Sequence, residues 1–242
     1  MRKTITKTRN ITNFAEAFGF LLNQDDEQMA VIYGDPGTGK STAVQFIAAQ
    51  SDAILITARP NMTGFGLVKT ILSAMGATCR SFGSGLDKII ERLSESGKAL
   101  FIDEADYLLH DFSLLEALRA IHDNAEVPVI LVGMPGIFNK LAHHRQLCDR
   151  IHFLEFTACD LQDARLLAET RCEVRVDNDL LAAIHSFAKG NLRLIKRILS
   201  HVESHALVMG WDSCNLNRWG KQPFLPAIAQ QPSFNKKARR SA

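Results

Sequence analysis

The octapeptide Gly34-Asp-Pro-Gly-Thr-Gly-Lys-Ser41 decides the reading of this 242-residue chain. It matches G-x-x-x-x-G-K-[ST] at every fixed position. The apolar run Met29-Ala-Val-Ile-Tyr33 leads into it, and the segment 40–50 leaves it with Ala43, Val44, Ile47 and Ala48 at helical spacing. A strand, a glycine-rich loop and a helix in that order form a phosphate cradle. The glycines let successive N–H groups and the positive helix terminus face an anion. Gly34, Asp35, Pro36, Gly37, Thr38, Gly39, Lys40, Ser41 and Thr42 are therefore the expected ATP-binding residues, with Lys40 neutralising the β- and γ-phosphates and the Ser41 hydroxyl holding Mg²⁺.

Downstream, apolar runs and helical segments alternate. Strands are expected at 53–57, 99–102, 129–132 and 151–156, with helices over 65–75, 86–93, 113–124 and 135–144 between them. Such unbroken apolar runs point to a parallel sheet covered on both faces. The third run, Leu100-Phe-Ile-Asp103-Glu104, ends in two carboxylates. Strand C-termini of a parallel sheet share one edge, so Asp103 is placed to hold the metal, directly or through water, and Glu104 to activate an attacking water. Asp106 reads as a solvated or capping acid.

Beyond Phe156 the pattern becomes helical: 161–172, 179–188 and 192–209, with Asp160 and Asp177 as N-caps and Lys189-Gly190 as a helix stop. The expected domains are a basic arm and helix at 1–28, an α/β ATPase domain at 29–156, a helical lid at 157–209 and a loop-rich basic tail at 210–242.

Composition fits an ordinary globular protein, with 46% apolar and 22% charged residues. No apolar run reaches membrane-span length, and five scattered cysteines without a C-x-x-C pair argue against a disulfide scaffold or structural zinc. A cytoplasmic protein is expected. The net charge of +2 is uneven: Arg2, Lys3, Lys7 and Arg9 stand without an acid in residues 1–15, and six basic side chains face Asp212 alone in 209–242. Basic ends around an acidic body fit either a polyanion partner or solvated tails that aid solubility. His201 and His205, four apart, lack a third ligand, and a solvated pair is the expectation.

Together with the phosphate loop Gly34–Ser41 and the carboxylate run Asp103-Glu104-Ala-Asp106, the strand ending Val132-Gly133, Asp149-Arg150-Ile151 and Gly190-Asn-Leu-Arg193 resemble the AAA+ ATPases over residues 10–208. The resemblance implies the AAA+ P-loop NTPase fold, α/β with a parallel five-stranded sheet flanked by helices and a small C-terminal helical lid. It also implies a catalytic set of Glu104, Lys40, Arg150 and Arg193. Arg150, or alternatively Arg145, stands at the position of an arginine finger acting on a neighbouring subunit, and Arg193 at that of the lid arginine; singly, each also reads as a surface cation. Met134 stands where the family usually has a polar residue after the fourth strand, so weak hydrolysis, coupled to assembly, is expected.

Within AAA+, the short chain most resembles the transposition ATPases of Mu-like phages and Tn-type transposons. That implies a homo-oligomer or helical filament on duplex DNA in the cytoplasm of a bacterial host cell, with a transposase as partner and no membrane. DNA would meet the loops after the second strand, at Arg59, Thr63, Lys69, Arg80 and Ser81. Helicase loaders and secretion-associated ATPases carry similar motifs.

Overall fold

The computed structural model describes residues 1–2, 4–24, 28–141 and 151–226. They fall into two compact units, Lys7–Cys159 and a second comprising Met1–Thr6 with the chain from Asp160 onward.

In the first unit α1 (Arg9–Leu21) precedes β1 (Met29–Gly34) and α2 (Lys40–Gln50). β2 (Ile54–Thr57), α3 (Gly64–Ala74), α4 (Phe82–Ser96) and β3 (Leu100–Asp103) follow. A single 3₁₀ turn (Ala105–Leu108) leads to α5 (Phe112–Ala125), β4 (Val129–Gly133), α6 (Gly136–Leu141) and β5 (Ile151–Phe156). The strands lie in the order β2-β3-β4-β1-β5, each paired parallel to its neighbour.

The lack of polar alternation has a direct cause. Along β3, Leu100 and Ile102 enter one core while Phe101 enters the other; along β4, Val129 and Leu131 divide from Ile130 and Val132 in the same way. Successive side chains of a strand point to opposite faces, and here helices cover both. Residues of α3, α4 and α5 fill one layer, and those of α1 and α2 fill the other. Phe14 anchors the second layer, 1% exposed and edge-on to Phe18, Phe101 and Phe156 at 6.1–6.4 Å.

The second unit contains α7 (Leu161–Arg171), α8 (Asn178–Ala188) and α9 (Leu192–Val208). Asp160 caps α7 by accepting the Asp163 N–H at 2.8 Å, and Asn191 caps α9 by accepting that of Leu194 at 3.0 Å. The N-terminal segment joins this unit, with the Arg2 N–H donating to the Arg171 carbonyl at 2.7 Å.

Two readings of the sequence change here. Residues 211–226, expected as part of a loop-rich tail, contain β7 (Ser213–Cys214), paired parallel to β6 (Arg175–Val176), and the short helix α10 (Leu216–Trp219). Trp219 is 1% exposed, and burial of so large a ring explains why Gly and Pro do not leave this stretch open. His201 and His205 are not a merely solvated pair: both rings stand edge-on to Trp219, at 5.6 and 5.4 Å. Among the described residues no cluster of three metal-ligating side chains occurs, and no helix is long and apolar enough to cross a membrane.

Phe14→Ala should destabilise the α/β unit by about 3–5 kcal/mol, because three aromatic rings lose their common contact. Leu22→Ala, at a side chain 49% exposed, should stay within about 0.5 kcal/mol. Urea denaturation of both variants checks the contrast.

Candidate nucleotide site

The strand order brings three loops to one edge. β4 lies between β1 and β3, with Tyr33 opposite Gly133 and Ile102 opposite Leu131, so the exits of all three strands are level within about one residue. The β1 exit carries the phosphate loop, the β3 exit carries Asp103 and Glu104, and the β4 exit carries Met134.

In the loop, Gly37 and Gly39 have φ of +89° and +99°, a region that L side chains enter only with strain. Thr38 is buried, and its hydroxyl donates to the Asp35 carbonyl at 2.9 Å. The Lys40 Nζ donates to the loop's own carbonyls, Gly34 at 2.5 Å and Asp35 at 2.9 Å. Burial lowers the Lys40 pKa below the ordinary lysine value, while the carboxylates of Asp103, Glu104, Asp106 and Asp35 pull it upward and do not win. A partly desolvated cation without a full counter-charge is a site that an anion completes. Ser41 and Thr42 open α2, with Ser41 exposed at the first turn.

Asp103 accepts the Glu104 N–H through Oδ1 at 2.9 Å. Glu104 is exposed and adopts φ +57°, an uncommon conformation for a residue with a side chain. Asp106 does more than a solvated acid would: its Oδ2 accepts the Met134 N–H at 2.7 Å, tying the turn after β3 to the exit of β4. A Cβ on Gly133 would stand 2.5 Å from that oxygen, so only glycine permits the approach.

Asn10 is a residue that sequence reasoning missed. From α1 its Nδ2 donates to the Thr38 carbonyl at 3.3 Å and to the Thr157 carbonyl at 2.9 Å, so it joins the phosphate loop to the exit of β5. The available signal was an amide beside Ile11 and Phe14 on the apolar stripe of α1.

The remaining candidates are dispersed. Arg193 is exposed at the start of α9 in the second unit. Arg145 and Arg150 lie outside the described residues. Arg59 and Arg80 are exposed, in the turn after β2 and just before α4. Thr63 and Ser81 are the N-caps of α3 and α4, accepting the N–H groups of Gly66 at 3.1 Å and Ser84 at 3.3 Å. Lys69, expected in a loop, lies within α3. The burial of Leu67, Val68, Ile71 and Leu72 turns it to the outer face, where its Nζ sits 4.4 Å from the centre of the Phe65 ring.

Three substitutions check this geometry. Glu104→Gly should raise stability by about 1 kcal/mol by releasing backbone strain, whereas Glu104→Gln should not. Asn10→Ala should cost about 1–3 kcal/mol, because the carbonyls of buried Thr38 and of Thr157 lose their donor. Thermal melts of the three variants provide both readings.

Comparison with known proteins agrees with this geometry. Residues 23–141 match the AAA domain family. A potential ATP-binding protein of Staphylococcus aureus is 32% identical over 123 residues, 47% of this chain and 45% of that protein. The replication factor C large subunit of Thermofilum pendens is 28% identical over 181 residues, 72% of this chain and 40% of that one. The chain thus spans less than half the length of these curated relatives. Among solved structures, the Aeropyrum pernix ORC1 protein in complex with DNA superimposes with a TM-score of 0.61 at 20% identity, covering 90% of this chain and 64% of that one. The match to the AAA domain family thus spans residues 23–141, and the parallel five-stranded sheet flanked by helices is the AAA+ P-loop NTPase fold.

Proposed function

We propose that this protein is an ATP-dependent, sequence-tolerant duplex-DNA-binding AAA+ ATPase that assembles on DNA and presents target DNA to a transposase. The observation that carries the nucleotide part is the Lys40 ammonium, turned back onto the Gly34 and Asp35 carbonyls at the edge that also bears Asp103 and Glu104. A triphosphate would take over those two hydrogen bonds. Ser41 and Asp103 would hold Mg²⁺ through hard oxygen donors, and the ion would supply charge neutralisation at the phosphates. Glu104 Oε would receive the proton of the attacking water. Arg150 of a neighbouring subunit would complete the site, and Arg193 would reach the same nucleotide from the lid. Met134 has no side-chain donor to offer that water, which supports slow turnover.

Duplex DNA as partner is supported by the basic chain ends and by exposed Arg59, Lys69 and Arg80. Thr63 keeps a hydroxyl proton to offer to phosphate oxygens even while capping, whereas the Ser81 hydroxyl also shares a hydrogen bond with the Ser84 hydroxyl at 2.8 Å. The transposition role rests on the motif resemblance. A second reading, a helicase-loader or initiator role in replication, is favoured by the likeness to ORC1 in complex with DNA and to replication factor C.

Binding of several unrelated duplexes at two salt concentrations, with and without ATP, tests the proposal. The expected result is affinity that falls steeply with salt, varies little with sequence and strengthens with ATP. Lys40→Ala should abolish nucleotide binding and the ATP effect together. Binding confined to one sequence favours the replication reading, and no binding at either salt rejects both.

A further inference from the structure

We infer that Asp106 is a positioning residue for the water-activating carboxylate: it fixes the turn that carries Glu104 against the exit of β4. The inference rests on the ATPase reading above, but its physical core can be measured without turnover. Glu104 sits in the left-handed region at φ +57°. A residue with a side chain stays there only when its surroundings over-determine it. Three local restraints are present. Ala105 and Leu108 of the 3₁₀ turn are fully buried, the Glu104 N–H donates to Asp103 Oδ1 at 2.9 Å, and the Glu104 carbonyl accepts the Tyr107 N–H at 3.1 Å. Those hold the turn to the core below it, but they do not set its position along the sheet edge. The Asp106 Oδ2 bond to the Met134 N–H, at 2.7 Å, is the link from this turn to the neighbouring strand's exit.

The link lies where it matters. β4 is the strand between β1, which carries the phosphate loop, and β3, which carries the carboxylates. A tie from the β3 turn to the β4 exit therefore sets how Glu104 stands relative to Lys40. Asp106 is also among the carboxylates that bear electrostatically on Lys40. Met134 contributes only its main chain: its thioether is a weak acceptor with no proton to give, and its backbone N–H is already taken by Asp106. The bare Gly133 beside it keeps the carboxylate's approach open.

Three variants test the assignment. Asp106→Asn retains an acceptor oxygen of the same reach, Asp106→Ala removes it, and Gly133→Ala crowds it away from Met134. Hydrogen exchange of the Met134 amide, measured without nucleotide, should accelerate by at least about tenfold in Asp106→Ala and Gly133→Ala and stay near wild type in Asp106→Asn. With ATP, kcat should fall by about tenfold or more in the same two variants, since a shift of about 1 Å at a reacting group is worth up to 10² in rate. Binding of a fluorescent ADP analogue should change by less than about threefold, and Asp106→Asn should recover most of kcat. A merely structural role would instead lower Tm and ADP affinity together and spare the kcat ratio, and that result overturns the inference. Unchanged amide exchange in Asp106→Ala overturns it too, whatever the activity. If wild type binds ADP and protects the Met134 amide but never hydrolyses ATP, the ATPase reading fails, and with it a positioning role for Asp106, although the tie itself stands.

Discussion

Parallel pairing of β3, β4 and β1 is the constraint on which the rest depends. Hydrogen bonding fixes the register, and the register sets which residues stand level at the sheet's C-terminal edge. Because Tyr33 faces Gly133 and Ile102 faces Leu131, a slip of one residue between any two strands would separate Lys40 from Asp103 and Glu104. It would also turn Phe101, Ile130 and Val132 out of the layer built around Phe14. Core packing and site geometry thus penalise the same error.

The edge assembled in this way holds features that cost stability. Lys40 is partly desolvated and bonded to carbonyls of its own loop, Gly37 and Gly39 give up more backbone freedom than other residues would, and Glu104 is strained. Neighbouring layers hold these features in place. Asn10 fastens the loop to α1 and to the β5 exit, and Asp106 fastens the Glu104 turn to β4. Both are buried or half-buried polar side chains bonded to main-chain atoms. Such atoms are present in any sequence, so these ties do not depend on a matching partner side chain.

On the outer side of α3 and α4 the polar residues divide into two kinds. Thr63 and Ser81 are committed to helix caps, and Lys69 to the face of Phe65, whereas Arg59 and Arg80 stand exposed beside the caps. Replacing Thr63 or Ser81 would therefore disturb a helix start as well as any surface contact, with capping worth about 1 kcal/mol. Arg59 and Arg80 are the cleaner probes of an anion partner.

The sequence by itself determined the local and periodic features. The octapeptide fixed the strand-loop-helix unit, since only glycines accept the φ values it needs. The apolar runs fixed β3 and β4 with their two-faced burial and the edge strand β5, and Asp160 marked a helix start through its capping oxygen, whereas Asp177, the other expected cap, precedes α8 without a side-chain capping bond. Only the tertiary structure decided the contacts between residues far apart in the chain. Asn10 and Thr157, or Asp106 and Met134, carry no mutual signal, because a bond from a side chain to a backbone atom constrains only one of the two residue types. The order of 211–226 was likewise hidden: Gly and Pro describe local backbone freedom, while the burial of Trp219 against His201 and His205 is settled by packing that no local pattern encodes.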